Sequence, residues 1–211
     1  KVICDIALLD SLGAKVVVVF GGDHKVKAVL EATGSNWLQA GGRRITNAIQ
    51  IETVTSVLGQ MYADLSARFS ASTPESPAKR RAITTSTGNF IRAKPLGIKD
   101  GVDHQLSGLV RNINEAAIRH QLSDGSIVLI PSIGYSPSGE TFHLDVDVVA
   151  REVACALTAD KLIFMTEQAG LKDIIGNLIS EIDLSDTRTG DISLEPLTEK
   201  LLDHCDQACR K

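Results

Sequence analysis

The sequence has no long hydrophobic run and no excess of positive charge. None of its apolar stretches reaches the roughly 18 residues that a membrane-spanning helix requires, so we expect no integral membrane protein. The formal net charge of −4 gives no overall attraction to nucleic acid or to an anionic membrane surface. The first residues, VICDIALLDSLGAK, form an amphipathic pattern that is unlike a signal peptide, and we expect none within this chain.

Cysteine is scarce as well, and its spacing does not indicate a metal site. Only Cys205 and Cys209 lie close together, beside His204, and structural zinc would need a second pair of ligands that the sequence does not offer. We therefore predict no bound metal, and free thiols in a reducing compartment. No G-x-G-x-x-G motif follows an apolar run, so a dinucleotide-binding domain of the Rossmann type is not indicated.

The residues that are present describe an ordinary globular protein. The chain is 43% hydrophobic and 23% charged over 211 residues, which suits one domain spanning 1–211. Periodicity predicts these elements in chain order: helix 1–12 closed by Gly13, strand 16–20, helix 23–33, loop or hairpin 37–46, helix 47–69, loop 70–82, short strands within 87–98 and 107–113, helix 114–125 capped by Asn114 and stopped by Gly125, strand 126–133, helix 145–159, strand 160–167 and helix 194–211. Strands that alternate with helices indicate an α/β fold with a mainly parallel sheet. Because the chain begins inside a helix and no strand follows its last one, we expect it to be cut from a longer protein.

The stretch VVVVFGG places Gly21 and Gly22 directly after a buried strand. Parallel strands end at the edge of the sheet where α/β proteins bind ligands, and the helix that follows favours an anion at its N-terminus. Glycines at such a turn allow a bound group to approach the backbone closely. The alternative is an ordinary turn between a strand and a helix, whose glycines only fit the bend.

Two further stretches add polar groups that suit a small carboxylate-bearing ligand. In GGRRIT, Arg43 or Arg44 could form a bidentate pair with a carboxylate. In SGETFHLDVDVVA, polar groups stand just before or at a helix start: His143, Asp145 and Asp147. Each also has a structural explanation: Arg43 as a surface side chain, Asp145 as a helix N-cap and His143 as a polar residue with its hydrogen bonds satisfied.

The order of these pieces resembles the amino-acid kinase fold family. The resemblance is carried by a strand followed by Gly-Gly and a helix, by the turn GGRRIT that opens a long helix, and by the segment from Thr87 to Leu129. That segment, TGNFIRAKPLGIKDGVD with its continuation, is similar to the N-acetylglutamate synthase branch, which is related to acetylglutamate kinase. The stretch IGYSPSGE is closer to the synthases of plants and algae.

The resemblance implies a three-layer αβα sandwich, truncated here at both ends, that forms an incomplete kinase-like domain over 1–211. A separate C-terminal acetyltransferase domain, outside this chain, would transfer acetyl from acetyl-CoA to L-glutamate in the first step of arginine biosynthesis. The implied role of this chain is regulatory, with arginine sensitivity and homo-oligomer formation, in the cytoplasm or the plastid. The alternative is a working acetylglutamate kinase that phosphorylates N-acetylglutamate with ATP.

The resemblance also assigns roles to individual residues. It implies that five residues face an amino-acid ligand (L-arginine, L-glutamate or N-acetylglutamate): Gly21, Gly22, Arg44, His143 and Asp147. Arg44 matches the arginine that grips a substrate carboxylate in the kinases, and Asp147 matches their catalytic aspartate. Asp23 stands where the kinases have a third glycine, His143 stands where they have an asparagine, and both phosphate-binding lysines would fall outside this chain. We therefore expect no catalytic residue and no cofactor in this chain itself.

Overall fold

The computed structural model describes residues 1–71, 83–166, 170–173, 175–180 and 205. The chain divides into two compact units, Lys1–Val149 and Ala150–Lys211. Much of the second unit lies outside the described residues, and the expectation of one domain over 1–211 stays a prediction. The predicted loop 70–82 and helix 194–211 also fall almost wholly outside them.

The described helices follow the predicted order, but five strands lie outside the predicted ones: 84–86, 102–103, 141–143, 171–172 and 178–179. The predicted strand 126–133 is divided into two strands, which belong to different sheets. The described helices are α1 (Val2–Ser11), α2 (Asp23–Ala32), α3 (Ala48–Ser70), α4 (Glu115–Ser123) and α5 (Val146–Leu157). The described strands are β1 (Val17–Phe20), β2 (Leu38–Ala40), β3 (Arg43–Ile45), β4 (Thr84–Ser86), β5 (Ile91–Pro95), β6 (Ile98–Lys99), β7 (Val102–Asp103), β8 (Gly108–Ile113), β9 (Ser126–Pro131), β10 (Ile133–Tyr135), β11 (Thr141–His143), β12 (Leu171–Lys172) and β13 (Leu178–Ile179).

The main sheet of the first unit is parallel, with strand order β1-β9-β4. Strand β9 is central, and Phe20 of β1 lies opposite its last residue, Pro131. From Ile127 to Ile130 the strand is at most 1% exposed, which explains why its sequence is a continuous apolar run rather than an alternating one. The predicted parallel sheet is confirmed.

Helices α2, α3 and α4 cover this sheet with apolar side chains. The core cluster joins these residues of α2, α3 and β9: Val26, Leu30, Val54, Leu58, Ile127 and Leu129. Helix α4 contacts β9 and buries Ile118 completely. Each such side chain contributes roughly 1.5–3 kcal/mol on burial, so this core fixes where the strand ends lie.

The second sheet is mixed, with strand order β11-β10-β5-β8. Strand β10 pairs with β5 in parallel, while the pairs β10–β11 and β5–β8 are antiparallel. Two hairpins, β2–β3 and β6–β7, turn over two residues each, Gly41-Gly42 and Asp100-Gly101. All four turn residues have φ between 52° and 77°, as a type I′ turn requires, and Gly-Gly and Asp-Gly are sequences that favour it.

The predicted helix ends are confirmed where capping residues mark them. Asn47 opens α3 with a capping box, in which its side chain accepts a hydrogen bond from the Gln50 N–H and the Gln50 side chain accepts one from the Asn47 N–H, both at 2.8 Å. Asn114 caps α4 by accepting a hydrogen bond from the Ala117 N–H at 3.2 Å. Gly125 follows that helix with φ 76°, the left-handed conformation typical of a helix stop.

The prediction of a buried strand over 160–167 is wrong for the residues that the structure describes. Residues 161–166 form no strand, and Ile163 and Met165 are 71% and 68% exposed. A continuous apolar run shows that a segment could be buried in a sheet, but not that a neighbouring strand exists to pair with it. Within the described ranges, no helix is long and apolar enough to cross a membrane.

Candidate functional site

The candidate site lies at the carboxyl ends of β1 and β9, where helices α2 and α5 begin. The Ser132 N–H donates to the Phe20 carbonyl at 3.0 Å, and the Leu144 N–H donates to the Ser132 carbonyl at 2.9 Å. These bonds join the ends of β1 and β9 to the residues that lead into α5. A crevice outside the carboxyl ends of parallel strands is the usual ligand position in α/β sheets.

Close packing explains the two glycines of the first turn. A Cβ on Gly21 would lie 3.1 Å from the Cβ of Val146, at the start of α5. A Cβ on Gly22 would lie 3.2 Å from side-chain atoms of both Val57 and Leu58 on α3. The glycines therefore let the turn pack directly against two helices, which agrees with the alternative that they serve the fit of the turn. Their contact with a ligand stays a prediction.

Three charged or titratable groups meet beside this turn. Arg44 Nη1 lies 2.5 Å from Asp23 Oδ1 and 3.3 Å from His143 Nε2, and that nitrogen lies 3.5 Å from Asp23 Oδ1. The side chains of Arg44 and His143 are 22% and 3% exposed, whereas that of Asp23 is 45% exposed. Where Nε2 of His143 carries no hydrogen it accepts a hydrogen bond from Arg44, and where it carries one it donates to Asp23.

Trp37 covers the other side of this group. Its ring stacks on that of His143, with centroids 5.4 Å apart, and the Arg44 guanidinium lies 5.4 Å from its centroid. The indole nitrogen is buried and has no hydrogen-bond partner among the described residues. We call Asp23, Trp37, Arg44 and His143 the Arg44 cluster.

Hydrogen bonds to its carbonyl oxygen hold the backbone of Arg44 in place. Its carbonyl oxygen accepts from His104 Nδ1 at 2.9 Å and from Ser107 Oγ at 2.8 Å. The Thr46 hydroxyl lies 2.9 Å from that of Ser107 and 3.5 Å from His143 Nδ1. Because the side chains of Thr46, His104 and Ser107 are buried, strand β3 presents Arg44 to the cluster in one fixed position.

Arg43 and Arg44 point to opposite faces of β3, as neighbouring residues of a strand must. Arg44 faces the cluster, and Arg43 is exposed. The expectation that only one of the two arginines faces the site therefore agrees with the geometry.

The third predicted stretch also reaches this edge of the sheet. His143 ends β11 and belongs to the cluster, and Asp147 lies in the first turn of α5. Asp145 acts as a cap, since its Oδ1 accepts from the Asp147 N–H at 3.0 Å and from the Val148 N–H at 3.5 Å. The structure thus brings the predicted residues together at one end of the sheet.

The sequence analysis assigns no role to four residues that build this site: Trp37, Thr46, His104 and Ser107. Thr46 ends the GGRRIT turn, and His104 and Ser107 lie in the segment from Thr87 to Leu129, but there they count only towards the resemblance. Asp23 enters only as a departure from the kinase pattern. One signal was available: Trp37 is the only tryptophan of the chain and directly precedes the hairpin that carries Arg44.

Asp23 has a lowered pKa because of its neighbours. Burial raises the pKa of this carboxyl, but the hydrogen bond with His143 and the charge of Arg44 outweigh that effect. Since the pKa in the folded state lies below the unfolded value of roughly 3.9, the ionised carboxylate stabilises the fold. This contribution is present above roughly pH 4 and is lost as the pH falls towards the lower folded value.

Asp23→Asn should therefore lower stability at pH 7 but not in acid. The variant should unfold at a lower urea concentration than the wild type at pH 7, and the difference should shrink as the pH falls below roughly 4 towards the lowered pKa of Asp23. Urea titrations followed by circular dichroism across this pH range measure the difference. Asp100→Asn, which removes an exposed carboxylate without an ion pair among the described residues, is the matched control. A difference for Asp23→Asn that stays constant with pH would contradict the assignment.

The described residues contain no group of three or more His, Cys, Asp or Glu side chains that could hold a metal ion. Of the pair Cys205 and Cys209, only Cys205 is described, and it is half-buried. The prediction of no metal at this pair stays a prediction.

The chain matches one family model over nearly its whole length. The model described as the amino acid kinase family covers residues 1–210. An amino-acid acetyltransferase of Ralstonia nicotianae is 37% identical over 210 residues, which are 98% of this chain and 46% of that protein. A second one, of Ectopseudomonas mendocina, is 37% identical over 211 residues, 100% of this chain and 49% of that protein. The chain spans about half the length of the curated relatives it matches.

Solved structures give the same fold. An N-acetylglutamate synthase from Neisseria gonorrhoeae, crystallised with coenzyme A and L-arginine, superposes with a TM-score of 0.89 at 29% identity, over 99% of this chain and 49% of that one. A carbamate kinase of Giardia superposes with a TM-score of 0.59 at 16% identity, over 99% and 76% of the two chains, and shows the fold alone. These matches confirm the predicted α/β fold of the amino-acid kinase type.

Proposed function

This chain belongs to the amino acid kinase family, and from that premise we propose that it is the kinase-like regulatory module of an N-acetylglutamate synthase. The whole protein would transfer acetyl from acetyl-CoA to L-glutamate in the first step of arginine biosynthesis. The observation that carries this proposal is the similarity of the entire chain to one half of proteins named as amino-acid acetyltransferases. The acetyl transfer itself would take place in the half that this chain does not match.

The geometry of the Arg44 cluster supports a module that does not transfer phosphate. Phosphoryl transfer depends on positioning and on neutralising the charge of the phosphate groups. Here the first residue of α2 is Asp23, whose lowered pKa keeps it negative beside the glycine turn. A negative charge at this helix N-terminus repels phosphate. Because the sequence relatives reported above are acetyltransferases, the alternative of a working acetylglutamate kinase is not supported.

We propose a small amino acid as the ligand of the module. Arg44 offers a guanidinium to a carboxylate, and Trp37 and His143 border it with flat, half-polar surfaces. L-Arginine, L-glutamate and N-acetylglutamate all carry the α-carboxylate that this group suits. Crystal structures of the Neisseria synthase contain L-arginine or N-acetylglutamate, together with coenzyme A. Homo-oligomer formation, and a location in the cytoplasm or the plastid, belong to the same proposal.

The test compares the whole protein with this chain. The whole protein should release free coenzyme A from acetyl-CoA only when L-glutamate is present, and L-arginine should change that rate. The chain alone should show neither this activity nor a saturable calorimetric isotherm with Mg-ATP in the millimolar range. Phosphorylation of N-acetylglutamate by the chain alone would overturn the proposal in favour of the kinase. An acetyltransferase rate indifferent to L-arginine would refute the regulatory role.

A further inference from the structure

A polar pocket lies on the face of β3 opposite the Arg44 cluster. It has a volume of about 350 Å³ and lies between the hairpins β2–β3 and β6–β7. We call it the hairpin pocket. The two turns face each other closely, since a Cβ on Gly41 would lie 3.9 Å from Asp100 Oδ2. A volume of this size is at the lower end of the range for small-ligand sites.

The hairpins are joined firmly at one end of the pocket. Thr46, just after β3, bridges Gln105, and the Leu106 N–H donates to the Thr46 carbonyl at 2.9 Å. Beside this bridge, His104 is 2% exposed and donates from Nδ1 to the carbonyl of Arg44. The pocket therefore has a fixed floor that includes a buried polar side chain.

The lining of the hairpin pocket carries two positive charges. Arg43 and Lys99 both line it, and neither forms a salt bridge within the part of the chain that the structure describes. One carboxylate, Asp100, stands at the rim and is likewise without a cation there. The chain as a whole has a net charge of −4, whereas the lining of the hairpin pocket has two cationic side chains and one anionic side chain.

His104 adds a requirement on the ligand. A carbonyl oxygen can only accept, so the hydrogen of a neutral His104 is on Nδ1 and is used by Arg44. The other ring nitrogen, Nε2, is then an acceptor, and it receives no hydrogen bond from the described residues. A ligand that satisfies this lining has anionic oxygens for Arg43 and Lys99, and an O–H or N–H donor for His104.

We propose that the hairpin pocket binds a small oxyanion that also carries a hydrogen-bond donor, such as hydrogen phosphate or a hydroxy-carboxylate. This site is separate from the amino-acid site of the proposed function. The two sites are linked through His104, which lines the pocket and donates a hydrogen bond to the carbonyl of Arg44.

Calorimetric titration of the chain with inorganic phosphate at pH 7.5, at constant ionic strength, tests this proposal. Phosphate should give a saturable isotherm, and sulfate, which has no O–H donor at this pH, should bind more weakly. Arg43→Gln and Lys99→Gln should each weaken phosphate binding about three- to tenfold, as for a charge-assisted contact in a partly exposed site. Asp100→Asn should strengthen it, because that change removes a like charge.

Two controls decide whether the pocket is responsible. Lys94→Gln removes an exposed positive charge from β5, outside the pocket, and should leave phosphate binding unchanged. Arg44→Gln tests whether phosphate binds instead at the Arg44 cluster, on the opposite face of β3. No isotherm in the wild type, an equal loss in Lys94→Gln and Lys99→Gln, or a loss confined to Arg44→Gln would each overturn the proposal. Equal binding of phosphate and sulfate would contradict the proposal that His104 Nε2 accepts a hydrogen bond from the ligand.

Discussion

Replacement of Gly108 by alanine should destabilise the protein by about 3 kcal/mol, the upper part of the usual range for an overpacked core. A Cβ at this position would lie 2.6 Å from the Cβ of Phe142 and 3.0 Å from the carbonyl oxygen of Lys94. Neither atom can rotate away, because one is the first atom of a buried side chain and the other belongs to the backbone of β5. Strands β8 and β5 would have to separate. Both belong to the mixed sheet, whose strand β11 carries His143.

The matched control is Gly59→Ala, in the middle of α3. A Cβ there meets no atom within 4 Å, and the residue is exposed. Alanine is better than glycine inside a helix by roughly 1 kcal/mol, so this variant should be more stable than the wild type. Urea unfolding followed by circular dichroism measures both. If Gly108→Ala unfolds at the wild-type midpoint, the close packing of Gly108 on Phe142 is refuted.

The second large effect should come from Asp23→Asn, which we expect to increase the affinity of the Arg44 cluster for a carboxylate about tenfold. In the wild type the carboxylate of Asp23 already occupies Arg44 Nη1 at 2.5 Å. A ligand carboxylate must displace it or lie beside a like charge. Two such charges about 4 Å apart repel by a few kcal/mol at an effective dielectric constant near 20, and the partial exposure of Asp23 reduces this to about 1.4 kcal/mol. Asparagine keeps the shape and removes the charge.

Fluorescence of Trp37, the only tryptophan, reports on binding directly because its ring contacts both Arg44 and His143. Titration with N-acetyl-L-glutamate at pH 7.5 should give a tighter curve for Asp23→Asn than for the wild type. Adding Arg44→Ala to that variant should weaken binding about ten- to a hundredfold. Adding Arg43→Ala instead should change it by less than about threefold. Equal effects of the two arginine changes would show that Arg44 does not receive the carboxylate.

Local sequence by itself determined most of the elements of this protein. Asn47 and Gln50 form a capping box with each other, and Asn114 and Gly125 bound a helix, because these contacts are between residues three or four apart or depend on one residue's φ. The apolar runs of β1 and β9 likewise predicted buried parallel strands, since the absence of alternation indicates cover on both faces. Both strands are parallel and β9 is buried, whereas in β1 only Phe20 is buried.

Tertiary structure alone decided what surrounds Arg44. Its contact with His143 joins residues 99 positions apart, and no local pattern encodes that Asp23 would occupy its guanidinium or that Trp37 would stack beside it. The same limit explains residues 161–166, whose apolar pattern suited a strand that finds no place in the described sheets. Side-chain chemistry determines which contacts are favourable, but only the packing of β1, β3, β9 and α2 brings the partners within reach of one another.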